Sequence, residues 1–209
     1  MMKSEEIPSE LKELDRWVSW DADNKVPLTP STLAYAKVND PLTWGSFEAA
    51  SATGRVGFVF TDGDPYVGID LDKCHNPVTG EIEDWALEVI DSFDSYSEIS
   101  PSGTGIHIFV RGKLPFPKGR KNGRCEIYEH SRYFTVTGTR LASSPKEIHN
   151  RQIKIDKFCD SHLSGEPERK PSKTNSPNAP VVERRVTEPR KWRFEWHFEE
   201  ILIKQRRSR

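Results

Sequence analysis

Large apolar side chains are scarce in this chain. Hydrophobic types make up 34% of its 209 residues, and no run reaches the roughly 18 consecutive apolar residues of a membrane-crossing helix. No membrane association is therefore expected, and so low a share points to a part of the chain without a packed core. Met1-Met2-Lys3-Ser4-Glu5-Glu6 is followed by no apolar stretch, so no secretory signal is expected there. Cysteine is scarce too. Cys74, Cys125 and Cys159 are too few and too scattered for a disulfide framework, and a reducing, cytoplasmic setting fits them. Net charge is also nearly absent, at −1, but the balance conceals two opposite regions. Residues 1–165 hold 19 Lys/Arg against 25 Asp/Glu, a net of −6, whereas residues 166–209 hold 12 against 7, a net of +5. An acidic body excludes coating of nucleic acid by bulk charge and leaves room for one local basic patch.

This length holds one good-sized domain, or one domain with a tail. Pro8-Ser9 opens a short predicted helix that runs into the strand-like Trp17-Val18-Ser19-Trp20. Pro27, Pro30, Asn39, Asp40 and Pro41 punctuate a loop over residues 25–43. A short helix is expected over 46–52 and a strand over 56–60. The turn residues Thr61-Asp62-Gly63-Asp64-Pro65 suggest that this strand forms a hairpin with the next, over 66–72. Apolar residues at helical spacing predict a helix over 83–93, and strands follow at 106–111, 124–128 and 132–137. Ser144-Pro145-Lys146-Glu147 has capping-box spacing, so a helix is expected to start there and run toward Cys159. Interleaved helices and hairpins make the expected class α+β, with a domain over 1–163. Residues 164–190, rich in Pro, Ser, Glu, Lys and Arg, read as disordered linker, and 191–209 as a basic, aromatic tail.

What is present is chemistry on strands. Side chains alternate along a strand, so in Val67-Gly68-Ile69-Asp70-Leu71-Asp72 the two aspartates share a face while Ile69 and Leu71 pack behind. Two carboxylates this close repel each other unless a hard cation lies between them. Glu126, in Arg124-Cys125-Glu126-Ile127-Tyr128, is the natural third member. Three such acids suit two Mg²⁺ or Mn²⁺ ions roughly 3.5–4 Å apart. The plain alternative is a pair of solvent-facing acids on an exposed strand. His107 follows the run Ser100-Pro101-Ser102-Gly103-Thr104-Gly105, whose backbone N–H groups suit a phosphate, to which the imidazole also donates. A structural histidine in an apolar strand is the competing reading. Between these motifs, residues 111–124 carry Arg111, Lys113, Lys118, Arg120, Lys121 and Arg124 with no acid. As a flexible basic loop they suit a polyanionic template or a triphosphate, and equally a solvated hairpin loop. Arg132 is placed to reach a phosphate from the last strand. Cys74-His75 and Cys159-x-x-His162 lack the spacing of a zinc knuckle, and zinc is not expected.

Taken in order, these motifs resemble the archaeo-eukaryotic primase superfamily, specifically the primase–polymerase (prim-pol) domains of phages, plasmids and mobile elements. Val67 to Asp72 resembles the first motif, with its paired metal-binding aspartates. Ser102-Gly103-Thr104-Gly105-Ile106-His107 is similar to the second, and Glu126-Ile127-Tyr128 with Ser131-Arg132-Tyr133-Phe134 to the third. Residues 7–20, with Lys25-Val26-Pro27 and Thr43-Trp44-Gly45, resemble the opening of such domains. The resemblance covers about residues 7–160. It implies a two-layer fold, a small α/β module joined to an RRM-like mixed sheet with flanking helices. It also implies metal binding by Asp70, Asp72 and Glu126, nucleotide binding by Ser102, Gly103, Thr104, His107 and Arg132, and primer synthesis or extension on single-stranded DNA from dNTPs or NTPs. Such domains are often followed by a helicase, and 209 residues hold none, so a stand-alone enzyme, a partner of a separate helicase and a truncated piece are all open. Two rival functions are a non-catalytic replication module that binds nucleic acid and a rolling-circle nicking endonuclease. The endonuclease normally has a His-hydrophobic-His pair, where this chain offers His107 alone, and a helical tyrosine, where Tyr128 and Tyr133 read as strand.

Overall fold

The computed structural model describes residues 2–163. The linker and tail expected over 164–190 and 191–209 lie outside the described residues. In chain order the elements are α1 (Ser9–Lys12), β1 (Trp17–Trp20), β2 (Pro27–Leu28), α2 (Phe47–Ser51), β3 (Val56–Phe60), β4 (Tyr66–Leu71), α3 (Asp84–Phe93), β5 (Ser97–Ile99), β6 (Ile106–Arg111), β7 (Arg120–Asn122), β8 (Cys125–Tyr128), β9 (Arg132–Val136) and α4 (Gln152–His162). Among the described residues the strands form a four-stranded sheet ordered β2-β1-β3-β9 and a five-stranded sheet ordered β5-β6-β4-β8-β7. The fold is α+β. No described helix is long and apolar enough to cross a membrane.

Every neighbouring strand pair in these sheets is antiparallel, which corrects the mixed sheet implied by the family resemblance. The reason lies in the connections. Helix α3 leads from β4 to β5, but β6 returns between them, so the two strands that run the same way never pair. That split β-α-β arrangement is the RRM-like part of the fold.

The five-stranded sheet has two chemically distinct faces. Val67, Ile69, Leu71, Ile106, Ile108, Val110, Cys125 and Ile127 point back into a core shared with Ala86, Val89, Ile90 and Phe93 of α3 and Ile155, Phe158 and Cys159 of α4. On the front, Tyr66 and Phe109 pack into a second core with Phe58 and Phe60 of β3 and Phe134 of β9. Gly68 sits directly beneath the aromatic side chains of the second sheet. A Cβ there would lie 2.6 Å from the Phe60 ring and 2.7 Å from the Phe134 ring, so only glycine fits without displacing an aromatic.

Three other local expectations change. β3 and β4 are not a hairpin, because β3 pairs with β1 and β9 while β4 pairs with β6 and β8. The turn between them carries the chain from one sheet to the other. It is held by Asp64, which accepts from Thr61 N and Oγ1 (3.0 and 2.6 Å) and pairs with Arg16. The basic segment is not all loop, since β7 lies within it and pairs with β8. No helix begins at Ser144. Its hydroxyl donates to the Ser97 carbonyl (3.1 Å) instead of capping, and α4 starts at Gln152.

Candidate nucleotide-transfer site

One rung crosses all five strands of the larger sheet. Glu98 of β5 lies opposite His107 of β6, His107 opposite Asp70 of β4, Asp70 opposite Glu126 of β8, and Glu126 opposite Lys121 of β7. Residues opposite one another on antiparallel strands share a face, with Cβ atoms about 4.5–5.5 Å apart. The rung therefore reads acid, imidazole, acid, acid, ammonium on the front of the sheet. Asp72, two positions beyond Asp70, extends it, and its backbone N–H donates to the Arg124 carbonyl (2.8 Å) just past the last residue of β4.

Asp70, Asp72 and Glu126 each offer a ligand oxygen within 4.8 Å of the others, and among the described residues they are the group of His, Cys, Asp and Glu side chains able to hold a metal. An all-carboxylate set is the donor chemistry of a hard divalent cation. A cationic group already occupies part of that position. Lys121 Nζ contacts Glu126 Oε1 and lies 3.2 Å from Asp72 Oδ2. The three acids thus fit a cation by their donor chemistry, and they already draw the Lys121 ammonium to them.

The electrostatics follow from this crowding. Burial raises the Asp70 pKa, the charges of Asp72 and Glu126 raise it further, and His107 and Lys121 only partly offset them. Burial works to raise Glu126 as well, yet hydrogen bonds from Lys121 and from Tyr128 Oη (2.6 Å) outweigh it and bring its pKa below the usual value. Tyr128 itself is pushed up to about 12 by burial and by that bond. Burial lowers the His107 pKa, but Glu98 and Asp70 outweigh it and the net shift is upward.

Around the acids stand the groups expected to meet a nucleotide. Arg132 Nη2 is 3.4 Å from Glu126 Oε2, and its guanidinium stacks over the Tyr128 ring at 4.6 Å. Residues 100–105 form a turn in which the hydroxyls of Ser100, Ser102 and Thr104 are linked in series at 3.0 Å each. Gly103 takes φ +74° there. A Cβ on Gly105 would lie 2.9 Å from the Leu71 carbonyl and 3.8 Å from Asp70 Oδ1, so glycine lets the turn pass directly beside the aspartate. A cleft of about 350 Å³ opens between the sheets, lined by Asp70, His107, Arg132, Tyr133, Lys25 and Pro27 among others.

The basic segment is distributed differently from a single patch. Arg111 pairs with Glu10, Lys113 donates to the Asp64 carbonyl (2.6 Å), and Arg120 stacks on Phe116 at 4.1 Å. Arg124 donates to the Asp72 carbonyl (3.0 Å) and to Glu83 (2.7 Å). Lys118 is exposed. The cysteine–histidine pairs do not come together. Cys74 and Cys159 are buried in the core behind the sheet, His75 Nδ1 meets the Gly103 carbonyl, and His162 stacks on Phe158. Tyr128 and Tyr133 both lie on strands, and Tyr133 Oη donates to the Lys25 carbonyl.

Sequence reasoning missed Glu98 and Lys25, and it read Lys121 as part of a basic loop suited to a template or a triphosphate without its contact with the acids. The period-two pattern of Ser97-Glu98-Ile99 was a usable signal for Glu98, but its pairing with His107 was not visible. No family model matches the chain. A protein named DNA Primase-polymerase from Nitratiruptor phage NrS-1 is 39% identical over 149 aligned residues, covering 64% of this chain. The chain spans 21% of that protein's length.

Proposed function

With a primase–polymerase domain of phage type as premise, we propose that this protein is a nucleotidyltransferase that makes or extends primers on single-stranded DNA in the replication of a phage, plasmid or mobile element. The observation that carries the reading is the convergence of Asp70, Asp72 and Glu126 within 4.8 Å, on a rung shared with His107. These three acids would hold Mg²⁺ or Mn²⁺. The bound ions would lower the pKa of the attacking 3′-hydroxyl and neutralise charge on the departing pyrophosphate.

The chain's own residues do the rest. His107 presents Nε2 to the cleft beside Asp70 (3.8 Å), where it donates to the triphosphate. Arg132 adds a guanidinium from β9, the other wall of the cleft, and the hydroxyls and N–H groups of Ser102, Gly103 and Thr104 supply neutral donors. A cation held by these acids would take over the position that Lys121 Nζ has beside Asp72 and Glu126, leaving the ammonium free for the phosphates. Lys118, exposed on the stretch leading into β7, is the residue of the basic segment that meets the single strand first.

The test is incorporation of labelled dNTPs and NTPs on primed and unprimed single-stranded DNA with Mn²⁺ or Mg²⁺. Wild type is compared with Asp70→Ala/Asp72→Ala. Product that vanishes in the double variant is expected, and the unprimed lane tells priming from extension. A folded wild type that makes no product with either metal would sink the stand-alone enzyme. It would favour the non-catalytic or partner-dependent module.

A further inference from the structure

The rung across the sheet begins with a group that nucleotide transfer leaves unused. Glu98 is fully buried, and a buried carboxylate is costly unless it is paired and hydrogen-bonded. Its Oε2 accepts from Tyr96 Oη (2.7 Å) and Gly138 N (2.8 Å), and its Oε1 accepts from Thr137 N (3.0 Å). These donors are all neutral. Among the described residues, the one basic side chain in ion-pair range is His107, whose Nδ1 lies 3.7 Å from Glu98 Oε1. The histidine has the complementary gap. Its Nδ1 is a buried nitrogen with no hydrogen-bond partner, a situation that native proteins rarely leave unresolved. Its opposite edge, Nε2, faces Asp70 Oδ1 at 3.8 Å. One ring face rests on Phe134, with centroids 4.9 Å apart.

Glu98 cannot follow a moving ring. Thr137 and Gly138, which hold it, lie just beyond β9 in the other sheet, and Gly138 takes φ +67° with the Lys3 carbonyl closely packed against it. The carboxylate is thus a fixed acceptor, anchored across both sheets and aimed at the inner edge of the imidazole. We propose that Glu98 is a positioning residue that holds the proton of His107 on Nδ1, fixing the ring so that Nε2 faces the cleft and a nucleotide phosphate. The inference rests on the nucleotide-binding reading above. It adds a residue that acts through His107 and touches no substrate, as outer-shell carboxylates do for metal-bound histidines.

The experiment separates this role from a purely structural one. Affinity for an α,β-imido deoxyadenosine triphosphate with Mg²⁺ is measured by calorimetry for wild type, Glu98→Gln, His107→Ala and the double variant, each checked by thermal unfolding. Nitrogen-15 NMR of the wild-type imidazole is recorded alongside. Glu98→Gln is expected to weaken binding about tenfold, the low end of outer-shell effects. In the His107→Ala background it should add less than about twofold, because non-additivity is the mark of coupled residues. The wild-type spectrum should show His107 protonated on Nδ1. An equal loss in both backgrounds would make Glu98 a mere staple for the turn at Gly138 and overturn the proposal. A bare Nδ1 in wild type would overturn it too, and that reading needs no variant to fold. Wild type that binds no nucleotide would remove the nucleotide reading, while the spectrum would still decide the placement of His107.

Discussion

The two ends of one sheet face make different use of the same strands. Toward one end, Tyr66, Gly68 and Phe109 lie under the second sheet and join its aromatic core. Toward the other, Asp70, His107 and Glu126 occupy the next same-face positions on β4, β6 and β8 and line up acids and an imidazole. Strand periodicity cannot tell the two apart, since both ends share a parity. The second sheet makes the division. Phe134 of β9 packs against Phe60, Phe109 and Tyr128 on one side and against His107 on the other. Where its cover stops, apolar side chains give way to acids and an imidazole. Aromatic packing is concentrated in the covered end, and titratable groups in the open one.

Substitutions should therefore separate stability from activity. Phe134→Ala should cost about 3–5 kcal/mol, as buried aromatic truncations do, read as a lower denaturant midpoint. Asp70→Asn should do the reverse. Its pKa in the folded state lies above its ordinary value, so the ionised carboxylate weakens the fold at neutral pH, and a neutral side chain removes that strain. Its metal-free midpoint should be no lower than wild type, while incorporation falls about a thousandfold, or ~4 kcal/mol of transition-state stabilisation. A stability loss matching that of Phe134→Ala would erase the distinction between the two ends.

The open end should also respond to cations where the covered end does not. At roughly 100 times its Kd, Mg²⁺ or Mn²⁺ should stabilise wild type by about 2.7 kcal/mol. For a domain of this size that raises the thermal midpoint by several degrees. Asp70→Asn should lose most of the shift, and a variant confined to the aromatic end, such as Phe60→Leu, should keep it. Equal shifts in all three proteins would place the cation elsewhere.

How far these features could be read beforehand differs from residue to residue. Asp70, His107 and Glu126 were legible because each sits on a strand whose alternation shows in a few residues, and Asp72 follows directly after the first of these strands. The order of the strands was not. The turn at 61–65 has hairpin chemistry, and only the pairing of β3 with β9, more than seventy residues along the chain, shows that it joins two sheets. Ser144 has the local pattern of a helix cap, but its hydroxyl belongs to Ser97, 47 residues away. Lys121 read as part of a basic loop for a template or a triphosphate because its cross-strand neighbour Glu126 was read as a separate motif. Local chemistry was visible in each case. For the turn and for Ser144 it was overridden by a partner distant in sequence, and for Lys121 by a cross-strand neighbour five residues away.

The smallest expected effect concerns the basic segment flanking the open end. Arg111, Lys113, Arg120 and Arg124 already direct their charges at Glu10, Asp64, Phe116 and Glu83, so a DNA strand would have to compete for each of them. Lys118 is exposed, on the stretch leading into β7, and is the residue of this segment best placed to meet a phosphate without first giving up a partner. Lys118→Ala should weaken single-stranded DNA binding by only about threefold at moderate salt. It should reduce the slope of log affinity against log salt by roughly 0.7, the share of one phosphate contact on a single strand. Nucleotide affinity should not change, because Lys118 is not among the groups lining the cleft. A tenfold or larger loss of DNA binding would mean that the segment acts as a unit. In that case its internal ion pairs open when the strand arrives, and the boundary between the structural and the functional end of the sheet shifts with the ligand.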